Sequence, residues 1–152
     1  MKNNYMYWSP LCLRLIVGFG FMAHGWAKIS RGTAGFEKLL IQTGVPMPHL
    51  MSIVAPYTEL IGGFLILIGL FTRWVSIPLI ISMLVAMLTV NIHYGFSSIK
   101  TIGLTPAGPL FGPPGYEINL LYIACLLSLM ITGAGALSVD LLMVNTKTRV
   151  EL

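Results

Sequence analysis

A chain of 152 residues, 56% hydrophobic and only 9% charged, is far from the composition of soluble domains, in which about 25% are charged. This excludes a soluble enzyme, because a hydrocarbon core about 30 Å thick takes roughly 20 apolar residues per helix and about four spans consume the length. The formal charge of +4 comes without any Lys or Arg run, which excludes nucleic acid as a partner and leaves the basic residues as loop charges of a membrane protein.

The first predicted span covers residues 9–26, with Trp8 and Trp26 at its ends, where indoles favour the headgroup level, and Pro10 in its first turn. Its basic start, apolar core and small residues at Ala23 and Ala27 also fit a secretory signal. Arg14 interrupts that core and matching spans follow, so an uncleaved helix is expected. In the following loop Phe36, Leu39 and Leu40 share a helical face against Lys38 and Gln42, and Gly44, Pro46 and Pro48 end the pattern, which predicts a short interfacial helix. The second span is expected over 53–71 and the third over 74–94, joined through Thr72 and Arg73 as an antiparallel hairpin. The loop from Gly95 to Gly115 is so rich in Pro and Gly that no regular structure is expected in it. A fourth span over 116–136 precedes Asp140 and a short polar tail from Asn145 to Leu152.

The expected fold is therefore an all-α membrane protein, a single domain over 1–152 built as an antiparallel four-transmembrane-helix bundle with a short interfacial helix in the first loop. Both long loops follow odd-numbered spans and share one side of the membrane. Lys2, Arg73, Lys147 and Arg149 on the terminal side balance Lys28, Arg31, Lys38 and Lys100 on the loop side. The N-terminal amine tips the positive-inside count toward cytoplasmic termini. No repeat points to a transporter of two inverted halves.

Ionisable residues inside a membrane are by default candidates for function. His24 near the end of the first span, Glu59 in the early turns of the second, His93 at the end of the third and Glu117 at the start of the fourth approach the same membrane face, forming a candidate polar layer. Three uses are open: a metal site, a proton relay to a quinone, or plain satisfaction of each charge by a helix dipole, headgroups and water. Neither Glu59 nor Glu117 has a His three residues later, as a di-iron bundle requires, so no metal is assigned. Arg14 shares a stripe with Gly18, Phe21 and Gly25, so it faces protein and calls for an anion. Asp140 is the nearest by depth and completes an expected structural ion pair. Small residues beside Glu59, at Gly62 and Gly69, read as close helix packing. The nine methionines form no M-x-x-M cluster and read as lipid-facing or gap-filling. Cys12 and Cys125, the two cysteines, form no CxxC pair and lie at different depths, so they are expected to be chemically idle.

Arg14-Leu15, Gly18, Phe21, His24-Gly25 and Lys28, then Glu59, Gly62-Gly63, Gly69-Leu70 and Thr72-Arg73, then Gly115-Tyr116-Glu117, and last Gly133, Gly135, Ser138 and Asp140 together resemble the DoxX family. The resemblance implies a four-helix bacterial inner-membrane protein; the family takes its name from a subunit of a thiosulfate:quinone oxidoreductase, and Arg14, Glu59, Glu117 and Asp140 match its polar motif positions. A distant likeness to the vitamin K epoxide reductase bundle comes without that bundle's CxxC, against thiol-driven quinone chemistry. The implied role is a quinone-associated subunit with no tightly bound cofactor, its partners being the lipid bilayer, a soluble redox protein and, for a homo-oligomer, further copies of itself. A non-enzymatic scaffold or regulator and a transporter or receptor for an apolar cargo are the alternatives.

Overall fold

The computed structural model describes residues 4–150 and the side chains of residues 7–144. Helix α1 spans Asn4–Ser30, α2 Thr33–Gln42, α3 Pro48–Ile68, α4 Thr72–Thr89, α5 Glu117–Thr132 and α6 Val139–Val150. A single 3-10 turn, Asn91–Tyr94, continues α4. Helices α1, α3 and α4 are long and apolar enough to cross a membrane, and α5 is a shorter apolar helix of 16 residues.

The four close into a ring, with α1 against α3, α3 against α4, α4 against α5 and α5 back against α1. Val17, Phe21, Ile66, Leu79, Met83, Leu126 and Leu129 fill its centre. Lipid offers apolar side chains as good an environment as protein does, so close backbone approach and hydrogen bonds must hold such helices together. Helix α1 meets α3 through glycines. A Cβ on Gly18 would stand 2.8 Å from the Gly63 carbonyl oxygen, and one on Gly25 would stand 2.6 Å from that of Pro56. Gly18→Ala is therefore expected to push the helices apart and cost about 1–3 kcal/mol, read as a lower melting temperature in detergent. Gly35→Ala, at a site in α2 open on all sides, should be neutral or gain up to about 1 kcal/mol.

Several boundaries differ from expectation. Helix α1 begins before Trp8, so Pro10 lies inside it and interrupts its hydrogen-bond ladder. In the same turn the carbonyl of Tyr7 accepts from the N–H of Ala136 at 2.9 Å. Helix α3 starts at Pro48 rather than Ile53, since proline is suited to a first turn. Helix α5 ends at Thr132, where Gly133 and Gly135 take positive φ, so 133–136 is not part of the fourth helix.

The largest correction lies in the second loop. Thr101–Thr105 (β1) and Gly108–Phe111 (β2) pair as an antiparallel hairpin, an exception to the all-helical expectation. Pro106 and Ala107 form its two-residue turn, and Pro109 sits on a strand with a free edge, where a missing donor is tolerated. The α2 segment is helical as expected, with Leu40 buried. The tail continues as α6, and residues 151 and 152 lie outside those described.

Candidate functional site

Two polar clusters lie at opposite ends of α1, Arg14 in one and Lys28 in the other, about 21 Å apart at 1.5 Å per residue. Each gathers residues distant in sequence.

At the terminal end, α3 finishes in a Schellman arrangement. Gly69 takes φ 69°, its N–H bonds to the Ile66 carbonyl, and the Leu70 N–H bonds to that of Leu65. Arg14 brings further donors to that last turn, a second one to the Ile66 carbonyl and one to that of Leu67. Its Nε donates to Ile66 O at 3.1 Å and its Nη2 to Leu67 O and Leu137 O at 3.0 Å. Nη1 donates to Ala134 O and Ala136 O at 2.9 and 2.8 Å. Five donors thus meet five backbone oxygens, and the guanidinium, 1% exposed, ties α1 to α3 and to the 133–138 segment.

The structure does not join Arg14 to Asp140 by a hydrogen bond. Asp140 accepts from the N–H groups of Phe71 at 2.7 Å and Thr72 at 3.1 Å, and its own N–H donates to Gly69 O at 2.9 Å. A carboxylate is favoured there by the positive end of the α4 dipole. It also holds Phe71, a non-glycine residue at φ 50°, in a conformation that costs of order 1–3 kcal/mol when unsupported. A cleft of about 640 Å³ opens beside this cluster, lined by Tyr7, Arg73, Trp74, Gly133, Asp140 and Met143.

At the loop end, Glu59 in α3 is 1% exposed. The Lys28 ammonium of α1 donates to Oε1 at 2.7 Å and to Oε2 at 2.5 Å, and the Ser82 hydroxyl of α4 donates to Oε1 at 2.8 Å. Lys28 also stands 5.1 Å from the centre of the Phe36 ring of α2, a cation–π contact. One carboxylate therefore collects α1, α3 and α4, with α2 over the ammonium. Glu59 is buried while the Lys28 side chain is 29% exposed, so the pair runs from the interior to the surface of the bundle. The cleft lies at the opposite end of the bundle from this pair.

The other three members of the expected polar layer stand apart from this pair. Glu117 accepts the Ser98 N–H at 3.0 Å, and its own N–H bonds to Phe96 O, so it clasps the 95–98 segment to the start of α5. His24 is exposed and packs edge-on against Tyr122, ring centres 6.1 Å apart. His93 is exposed on the 3-10 turn. No hydrogen bond joins any two of the four among the described residues. Sequence reasoning did not place Lys28 beside Glu59, although Lys28 continues the inward stripe of Arg14, Gly18, Phe21 and Gly25 at helical spacing. Cys12 is exposed on α1 and Cys125 half-buried on α5.

The DoxX family model matches residues 9–92, from the start of the first apolar stretch through Arg14, Lys28, Glu59 and Ser82. An uncharacterized protein of Haemophilus influenzae is 31% identical over 143 residues, covering 91% of this chain and 95% of that protein. Inner membrane protein YphA of Escherichia coli is 30% identical over 130 residues, 86% of each chain. A Bacillus subtilis protein named "Putative oxidoreductase CatD" is 34% identical over 88 residues, 58% of this chain and 63% of its own length. No solved structure matches.

Proposed function

From the premise that this chain belongs to the DoxX family of membrane proteins, we propose that it is a multi-pass bacterial inner-membrane subunit of a quinone-linked redox system, with the Lys28–Glu59 pair as its proton site. The observation that carries this reading is a carboxylate buried within a helix long and apolar enough to cross a membrane and joined to a partly exposed ammonium. The relative named as an oxidoreductase supports it. Reduction of a quinone to a quinol takes two electrons and two protons. In this reading the electrons come from a soluble redox protein that the chain anchors. The protons pass by way of Lys28 and Glu59, and the quinone reaches the pair from the lipid. Helix α5 serves as the fourth span, α2 lies in the interface, and both termini face the cytoplasm.

A second reading is favoured by how fully both clusters are satisfied: a membrane scaffold without chemistry of its own would need the same bonds. Affinity purification from native membranes in mild detergent separates the two. The redox reading expects a flavin, thiol or molybdenum protein to co-purify, with quinone retained at near-stoichiometric amounts. A chain recovered with neither would be a scaffold.

A further inference from the structure

The β1–β2 hairpin stands off the helical ring and packs extensively on none of the helices. Its side chains are those of a membrane surface rather than of a water-exposed loop. Leu104 is 84% exposed, and Ile102, Leu110 and Phe111 are each more than half exposed. Leu104 pairs with Pro109, and Phe111 follows two residues later on the same side, so these three share one face of the ribbon. Gly103, Thr105, Gly108 and Leu110 stand on the other, and a bulge turns Ile102 onto Gly112.

We infer that this hairpin lies in the headgroup–acyl boundary of the loop-side leaflet, with the Leu104–Pro109–Phe111 face toward the acyl chains, as a second interfacial anchor of the bundle beside α2. Three observations point to this occupant. Helix α5 has 16 residues and reaches about 24 Å, short of the roughly 30 Å of hydrocarbon, so its loop-side end and the hairpin joined to it are drawn down to the membrane boundary. Exposed apolar side chains continue from the helices to the hairpin, at Ile92, Tyr94, Phe96 and Ile99. Exposed Lys100 at the hairpin root, with exposed Arg31 and Lys38 on the same end, complements anionic phosphates there.

Depth is set by the backbone. Both outer edges of a two-stranded ribbon carry N–H and C=O groups with no neighbouring strand, and hydrocarbon offers them no partner, so the ribbon lies flat at the boundary and does not enter the core. Its root is firm. Gly112 N–H bonds to Lys100 O at 2.8 Å, Gly115 N–H to Ser97 O at 3.1 Å and Tyr116 N–H to Gly95 O at 3.0 Å, and a Cβ on Gly115 would stand 2.2 Å from Gly95 O. Through this root the embedded hairpin holds the first turn of α5, and so Glu117, at a fixed level.

The test is a single-tryptophan scan of the full chain in vesicles of phosphatidylethanolamine and phosphatidylglycerol. Trp8, Trp26 and Trp74 are first changed to Phe, and Leu104→Trp is then compared with Thr105→Trp on the opposite face. Leu104→Trp is expected to emit at shorter wavelength and to be quenched at least twofold more strongly by lipids brominated near the carbonyl end of their chains than by iodide in the water, with the reverse order for Thr105→Trp. Equal quenching of both variants by iodide would place the hairpin in water and overturn the inference. Leu104→Trp shielded from iodide and bromolipid alike would show a protein partner or a second copy covering that face, and would overturn it too. Phe111→Trp repeats the measurement on the same face, so misfolding of one variant does not decide the result.

Discussion

Arg14→Met is expected to be the most damaging single substitution in the chain. Methionine matches the length of the stem but leaves Leu67, Ala134, Ala136 and Leu137 without the donors they now share and Ile66 with only the Gly69 N–H, and each buried polar group left unpaired costs about 1–3 kcal/mol. Relaxation and water will recover part of this, so a net loss of at least about 3 kcal/mol is expected. It would appear as a failure to accumulate in the membrane or as aggregation on mild heating in detergent. Arg14→Lys should fall between, because an ammonium has three donors and no planar fork. A direct Arg14–Asp140 pair makes a different forecast. With such a pair, the Arg14→Met/Asp140→Asn double variant would recover stability by removing both charges. With the carbonyl clasp, the double variant should be no better than Arg14→Met alone.

The reason Arg14 looks like half of an ion pair in the sequence is that helix termini are invisible there as ligands. Arg14 on an inward stripe beside glycines states that a cation faces protein, and its depth matches that of Asp140. What the sequence does not display is that Gly69 ends α3 in a left-handed turn and that Gly133 and Gly135 fold a segment back over it, presenting five carbonyl oxygens at one place. Those backbone acceptors exist only after three segments have met. The apolar helices, by contrast, are read easily, because a membrane demands long uninterrupted stretches. The hairpin is missed for a local reason: Pro and Gly do break helices, and between residues 101 and 111 they also make a two-residue turn and a free-edged strand. Glu59 stands out by its depth alone, but its partner does not, since a lysine at the end of a span is ordinarily read as a loop charge. The spacing from Gly18 through Phe21 and Gly25 to Lys28 carries that information.

For the Lys28–Glu59 pair, Lys28→Met is expected to harm stability more than Glu59→Gln, although both break the same contact. Removing lysine leaves a carboxylate that is 1% exposed with the Ser82 hydroxyl as its remaining donor, and an uncompensated buried charge costs about 3–5 kcal/mol. Removing the carboxylate instead leaves an ammonium that is already partly exposed, whose four-carbon stem can carry it to the headgroups, so a loss nearer 1 kcal/mol is expected. The Lys28→Met/Glu59→Gln double variant carries neither charge and should return close to wild-type stability, as buried pairs replaced by neutral groups often do. Thermal denaturation of the four proteins in one detergent measures this order. It also isolates the functional question, because Glu59→Gln is then a folded protein lacking only the carboxylate, and the double variant a folded protein lacking the whole pair. If Glu59 handles protons for a quinone, both will insert normally and both will lose quinone turnover in membranes supplied with the native electron donor, by at least the roughly 100-fold that a positioned acid or base contributes. Turnover within a factor of two of wild type in either variant would remove Glu59 from the chemistry and leave the pair as the bond that holds α1, α3 and α4 together.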